Sequence, residues 1–358
     1  MRLAFYAPLK PPVHDVPSGD RAMGRALIHA LEHIGAEVTL ASTLRTRDGT
    51  GDAQVQSTLI QKASLEITRL IAQGRAAGWH AWVSYHNYYK APDLIGPAVA
   101  RGLNIPYLQV ETSRARKRLQ GPWAKFAKAA EAAANAADVI FYLTERDAET
   151  LRRDAPEGQR LIHLHPFLDR DDLPPRSTLQ GPILVAAMMR PGDKLASYQI
   201  IAETLALIPK DRWRLHIAGD GAMRAQVEAL MAPFGQAITF LGALDADAMQ
   251  HSFQSASLLF WPGVNEAFGL TYLEAQAAGV PVVAQDRPGV REVLAPGDYP
   301  TPDAGAPALA KRLMAFIDTP EKSEAAGQRA RDHVAAHHLL NAAAETLRQG
   351  LALTGVAR

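Results

Sequence analysis

The chain has 358 residues, 47% hydrophobic and 21% charged, with a formal net charge of +1; that length suits two domains rather than one core, and the composition excludes disorder along the whole chain. The absence of cysteine excludes disulfides, thiolate chemistry and Cys-based zinc or iron–sulfur sites. No run approaches the ~20 apolar residues of a membrane-spanning helix, and Met1–Pro8 is too short for a signal peptide, so the chain is expected in the cytoplasm.

Short apolar, β-branched or aromatic runs alternate with helix-length segments, the pattern of α/β domains built on parallel sheets. In the first half, strands are predicted at Leu3–Ala7, Glu37–Ala41, Ala81–Ser84, Pro106–Val110, Val139–Tyr142 and Leu161–Leu164. Between the first two, Met23, Leu27, Leu31 and Ile34 recur at helical spacing, and Gly35 is placed to close that helix in the left-handed conformation. The acidic, proline-containing stretch Asp169–Pro175 can continue neither a helix nor a central strand and reads as a connector. Strands are predicted again at Ile183–Ala187, Leu215–Ala218, Ile238–Leu241, Leu258–Phe260 and Val282–Ala284, followed by an Ala-rich helical end with no further strand. The expected fold is α/β: two doubly wound Rossmann-like domains, 1–170 and 171–339, with a helix in 340–358 packing back on the first. Such domains in series leave a cleft at the carboxyl ends of their strands, where ligands bind beside helix N-termini.

The most informative stretch runs from Trp261 to Ala284. A strand ends at Phe260–Trp261, a loop carries Glu266, and a helix is predicted to start near Gly269 and end at Gly279, with Glu274 inside it. A carboxylate accepts hydrogen bonds from two vicinal hydroxyls at once, which suits a ribose or hexose. Gly269 lets backbone approach a ligand closely, and the free N–H groups of the helix start favour an anion.

Glu266 and Glu274 lie within "NEAFGLTYLEAQAAGVPVVA", which resembles the signature of retaining glycosyltransferase family 4, a family with the GT-B fold. "MMRPGDK" (188–194), "LHIAGDG" (215–221) and "ITFLGAL" (238–244) follow at the family's intervals. In the first half the similarity is looser: Pro17-Ser18-Gly19-Asp20 opens the first long helix, and His86 follows the predicted strand ending at Ser84. The resemblance implies that Glu274 binds the ribose of a nucleoside diphosphate sugar. It implies that Glu266, with the backbone N–H groups of Phe268, Gly269 and Leu270, holds the sugar hydroxyls and distal phosphate, and that Arg190 and Lys194 hold the diphosphate. Gly219 and Gly242 would lie near the base, and Gly19 under the phosphates from the other domain. The family places its lysine five residues after the arginine, where this chain has four, and often has paired glycines where this chain has Ser18-Gly19.

The implied activity is metal-independent transfer of a hexose, with retention, from the nucleotide sugar to a hydroxyl acceptor, without a further cofactor. Breaking a sugar–phosphate bond puts charge on the leaving diphosphate, which two cations and a helix N-terminus stabilise where it develops. The leaving phosphate oxygen can then accept the acceptor's proton on the same face; a double displacement with Glu266 as nucleophile is the rival mechanism. A nucleotide-sugar binder without transfer activity and a GT-B-shaped epimerase or phosphorylase are the alternative functions.

Other motifs have structural readings. Gly219-Asp220-Gly221 imitates a dinucleotide fingerprint, but Arg224 stands where the third glycine belongs. Asp169-Arg170-Asp171 sits in the connector and Asp245-Ala246-Asp247 at a helix start, where Asp is a common cap. His163, His165, His337 and His338 lack a third ligand nearby in sequence, so no metal site is expected. His86 reads either as a structural histidine or as a group facing the transferred sugar. The basic–aromatic stretch Arg114–Lys128 reads either as a solvated face or as a contact for an anionic acceptor or a membrane surface. Residues 1–170 carry 22 Lys and Arg against 17 Asp and Glu, and 171–358 carry 16 against 20; neither half is basic enough for a nucleic-acid binder.

Overall fold

A computed structural model describes residues 1–14 and 18–356; Pro17 of the Pro17–Asp20 motif lies outside them. Two compact units divide the chain: Met1–His165 together with the helix Leu340–Leu353, and Pro166–Leu339. The division falls at His165–Pro166, ahead of the acidic stretch 169–175. Among the described residues, no helix is long and apolar enough to cross a membrane.

In the first unit, β1 (Arg2–Tyr6), β2 (Glu37–Ser42), β3 (Ala81–Asn87), β4 (Tyr107–Thr112), β5 (Val139–Tyr142) and β6 (Arg160–His163) form one parallel sheet. Their spatial order is β2-β1-β3-β4-β5-β6. The second unit holds β7 (Ile183–Ala186), β8 (Leu215–Ala218), β9 (Ile238–Gly242), β10 (Leu258–Phe260) and β11 (Val282–Val283), also parallel, in the order β11-β10-β7-β8-β9. Strands such as β5 (VIFY) and β7 (ILVA) are buried along their whole length, because helices cover both faces of a doubly wound sheet. Each unit is thus a doubly wound α/β layer structure with its own core. β3 runs on through His86 to Asn87, so His86 sits in the strand rather than after it.

Local chemistry sets the helix ends. Ser18 caps the helix Gly19–His33, its side chain accepting a hydrogen bond from Arg21 N at 3.3 Å; the serine that stands ahead of Gly19 therefore has a capping role. Gly35, at φ 81°, turns the chain out of that helix. Asp245 caps Ala246–Ser255 through Ala248 N at 2.9 Å, which gives that D-x-D string its structural role. His338 is fully buried, and its Nδ1 lies 2.6 Å from the Pro166 carbonyl oxygen, while its own carbonyl accepts from Leu168 N at 2.9 Å. This histidine ties down the start of the second unit.

The helix Leu340–Leu353 buries Leu340, Ala343, Ala344, Leu347 and Leu351 at helical spacing and packs on the helix Gly19–His33 and on β6. It also buries Gly350, where a Cβ would fall 2.1 Å from Phe141 Cζ. Overpacking of this kind costs ~1–3 kcal/mol. Gly350→Val is therefore expected to lower the melting temperature, measured by calorimetry, through the core of the first unit.

Candidate active site

In the second unit the winding reverses between β7 and β10, so the loops after these strands leave side by side at the carboxyl edge of the sheet. These are the segments 187–192 and 261–269. Side chains of the helix Asp193–Leu205 bind them together: Val264 N donates to Ser197 Oγ at 3.1 Å, Asn265 Nδ2 to Asp193 Oδ2 at 3.0 Å, and Tyr198 OH to the Ala187 carbonyl at 2.8 Å. At this junction Lys194 forms an ion pair with Glu266. Trp261 Nε1 donates to the same Glu266 oxygen at 2.9 Å, and the Lys194 ammonium lies 5.2 Å from the centre of the Trp261 ring. Arg190 is exposed, and its guanidinium has no partner among the described residues.

Phe268, Gly269 and Leu270 stand at the start of the helix Leu270–Ala277. Gly269 is its N-cap, at φ 81°, and no side chain caps the first N–H groups. Tyr272 N donates to the Gly269 carbonyl at 3.1 Å, and the N–H groups of Leu270 and Thr271 remain available to an anion. Glu274 is on the outward face of this helix, while its neighbours Leu273 and Ala275 are buried. It lines a pocket of about 490 Å³ with Leu168, Arg170, Leu244, Asp245 and Met249. Solvent reaches the carboxylate, yet the pocket wall deprives it of much hydration and raises its pKa, with Arg170 opposing. A larger hollow of about 640 Å³ opens at the amino ends of the strands, among Ile183, Trp213, Arg214 and Leu258. No predicted site residue lines it, and doubly wound sheets bind ligands at the opposite edge.

The glycines of the β8 loop have a packing role. Gly219 and Gly221 adopt φ 146° and 150°, and a Cβ on either would fall 2.0 Å from the Ala187 carbonyl oxygen or 2.4 Å from that of Met189. Gly219 N donates to the Gly242 carbonyl at 2.7 Å, and Met189 N to that of Asp220 at 2.9 Å. The loop after β8 therefore braces the loop that carries Arg190. Gly242, at φ 72°, ends β9 next to Leu244 of the pocket. Arg224, in place of a third glycine, pairs with Asp220 and Glu228.

In the first unit the winding reverses between β1 and β3, and a second charged cluster forms there. His86 Nδ1 lies 3.4 Å from Asp20 Oδ1 and 3.5 Å from Glu111 Oε1, and Lys10 pairs with Asp20. His86 and Glu111 both have left-handed backbones, at φ 67° and 56°, a conformation that costs energy in residues other than glycine. Burial works against charge on His86, but Glu111 and Asp20 outweigh it and raise the imidazole's pKa. Burial likewise disfavours charge on Asp20, but His86 and Lys10 hold that carboxyl well below the usual range. Burial raises Glu111, with His86 opposing. Gly19 is the first residue of the neighbouring helix, and a Cβ there would meet nothing within 4 Å.

The basic stretch does not present one uniform face. Arg114 is buried against Glu131 and Asn135 at 2.7 and 2.8 Å, Arg116 bridges Asp154 at 2.5 Å, and Lys125 donates to Ser57 at 3.0 Å. Among the described residues, no group of three His, Asp or Glu could hold a metal ion. Sequence reasoning missed Asp20, Glu111 and Arg170. Asp20 had a signal, standing next to Gly19 in the quoted motif; Glu111 and Arg170 had none.

Residues 191–333 match the family described as glycosyl transferases group 1. That stretch resembles a group 1 glycosyltransferase domain. An exopolysaccharide phosphotransferase of Streptomyces coelicolor is 33% identical over 156 residues, which are 43% of this chain and only 16% of that one. The alpha-D-kanosaminyltransferase of Streptomyces kanamyceticus is 25% identical over 281 residues, 74% of this chain and 72% of that one. Anabaena HepE, solved in complex with UDP-glucose, superposes with a TM-score of 0.70 at 14% identity over 98% of this chain and 99% of that one. The chain has the GT-B fold. The Lys194–Glu266 junction, Arg190 and Glu274 all lie within the matched residues or one residue outside them.

The His86 cluster generates a pH test. Its pKa is raised above the ordinary 6.5 on folding, so its stabilising contribution is complete below about pH 6.5 and fades as pH rises through the raised value. The melting-temperature gap between wild type and His86→Gln is therefore expected to be widest near pH 6 and to narrow towards pH 9. A gap constant across that range would mean a neutral imidazole.

Proposed function

We propose that the chain is a retaining, metal-independent glycosyltransferase that moves a hexose from a nucleoside diphosphate sugar to a hydroxyl acceptor. The observation that carries this reading is the Lys194–Glu266 pair at the β7/β10 switch point, with Arg190 on the loop ahead of the lysine's helix and without a partner among the described residues, and with an uncapped helix start after the glutamate's loop. Two cations and the uncapped N–H groups at the helix start match a diphosphate, and two carboxylates match the hydroxyls at its two ends.

On donor binding, Lys194 and Arg190 take the diphosphate, and Glu266 turns from Lys194 to the sugar hydroxyls while Trp261 Nε1 steadies it. Glu274 accepts from the ribose hydroxyls at the mouth of its pocket. The C1–O bond to phosphate then breaks with its electron pair passing to the phosphate oxygen. The acceptor oxygen bonds to C1 on the same face, and its proton goes to that phosphate oxygen. The cations stabilise the charge as it develops, so a metal ion is not needed. His86, whose pKa Glu111 and Asp20 raise against the effect of burial, is assigned to the first unit's acceptor as a hydrogen-bonding group.

A thermal-shift screen of nucleoside diphosphates and their sugars identifies the donor, since a selective ligand stabilises by mass action. With that donor, Glu274→Ala is expected to keep its fold and lose donor affinity in a calorimetric titration. Arg190→Ala is expected to lower acceptor-dependent nucleoside diphosphate release about 10²–10³-fold, the typical loss of one such electrostatic contact. Unchanged donor affinity in folded Glu274→Ala removes the assignment. Donor binding without release across broad acceptors makes the chain a binder instead.

A further inference from the structure

At the carboxyl edge of the first sheet, aromatic rings lead away from His86 in a row. The ring centres of His86 and Tyr88 are 5.0 Å apart, those of Tyr88 and Tyr89 5.6 Å, and those of Tyr89 and Trp123 5.8 Å. Over the last two rings lie two cations: the Lys90 ammonium at 5.7 and 5.4 Å from the ring centres of Tyr89 and Trp123, and the Arg118 guanidinium at 5.1 and 5.4 Å. Arg47 sits against Tyr88, opposing the rise that burial gives its phenol pKa. Among the described residues, none of these three cations pairs with a carboxylate.

The row is a built surface. The Lys90 carbonyl accepts from Asp48 N at 2.9 Å, and Gln56 Nε2 donates both to Asp48 Oδ2 at 2.8 Å and to the Pro122 carbonyl at 3.0 Å. The loops after β2, β3 and β4 are thereby stitched together. Gly51, at φ 80°, backs Pro122 and Trp123 so closely that a Cβ would fall 2.5 Å from Pro122 Cβ. Arg118 Nε and Trp123 Nε1 are shielded from solvent, yet neither has an acceptor among the described residues. An aromatic face holds a cation without cancelling its charge. Lys90 and Arg118 are therefore fixed in place with their charge, and two donors, unspent.

We propose that Arg47, Tyr88, Tyr89, Lys90, Arg118 and Trp123 form the acceptor subsite for an anionic saccharide, its charge borne by a ring carboxylate or by a phosphate at its end. This rests on the glycosyltransferase reading above and names the acceptor's chemical class. A membrane surface fits less well. The two cations are folded over ring faces instead of projecting, and Arg114, Arg116 and Lys125 are each engaged with another side chain of the protein.

Tryptophan emission provides the readout, because Trp79, Trp82, Trp213 and Trp261 are buried and Trp123 is half-exposed. The full chain is titrated with trigalacturonate, with neutral maltotriose, with glucose 1-phosphate, and with phosphatidylcholine vesicles containing phosphatidylglycerol. A charged saccharide is expected to change the emission and maltotriose not to. The response should weaken at least tenfold in the Lys90→Ala/Arg118→Ala double variant and as salt rises well above ~0.15 M, and should vanish in Trp123→Phe. Response to trigalacturonate alone puts the charge on the sugar ring; response to glucose 1-phosphate alone puts it on a terminal phosphate; either supports the subsite. Equal response to maltotriose, no response to either anion, an unaltered double variant, or a response confined to vesicles overturns it. Nucleoside diphosphate binding is measured on the same proteins. Its loss in wild type would count against the transferase reading, whereas its persistence in the double variant separates a failed subsite from a failed fold.

Discussion

The ion pair between Lys194 and Glu266 is the constraint on which the second unit's site depends. Its side chains come from segments 72 residues apart, and they meet because β10 was laid beside β7 when the sheet reversed its winding. Both are largely withdrawn from solvent, with side-chain exposures of 30% and 14%. An unpaired charge there would carry a desolvation penalty. Glu266 supplies the neutralising charge, and the indole of Trp261 contributes a hydrogen bond to one partner and a ring face to the other. The surrounding hydrogen bonds through Ser197, Asp193 and Tyr198 keep the two loops in the register this pair needs.

Each sheet repeats the same geometric rule with opposite chemistry. The β7/β10 reversal pairs one lysine with one carboxylate, and the β1/β3 reversal brings two carboxylates to one imidazole, with Lys10 paired to Asp20. Strain accompanies the second cluster: His86 and Glu111 lie on adjacent strands with left-handed backbones, at a cost of order 1–3 kcal/mol each. A structural histidine could satisfy its ring without that cost. The strain argues that the positions of these side chains, and not merely their presence, are what the fold maintains.

The strands were legible because parallel strands buried on both faces spell continuous apolar runs, as in β5 and β7. Polar strand ends were not: β3 continues through His86 and Asn87, whose composition resembles a loop. The string around Glu266 and Glu274 was readable because its loop, helix start and carboxylates are contiguous in the chain. Glu111 and Arg170 were invisible for the converse reason, since each meets its partners only through strand order or through the path of the connector. The glycines at 219 and 221 were visible as glycines, but their closeness to the Ala187 and Met189 carbonyls is a fact of packing between loops that no local pattern encodes.

The two ways of holding a cation have different consequences for binding. Lys90 and Arg118 rest on ring faces and have nothing to release when an anion arrives. Lys194 must give up a carboxylate, and on the proposed reading the diphosphate that takes its place frees Glu266 for the transferred sugar. Phosphate binding and sugar recognition would then be one exchange of partners, so a nucleoside diphosphate without its sugar leaves a carboxylate with neither ammonium nor hydroxyls to satisfy it. Such a site spends part of its phosphate affinity on parting the pair and regains it only when hydroxyls are present. On that reading the coupling would discriminate an intact donor from its spent product without any further residue, because one glutamate would stand between the lysine proposed to hold the leaving group and the sugar proposed to depart from it.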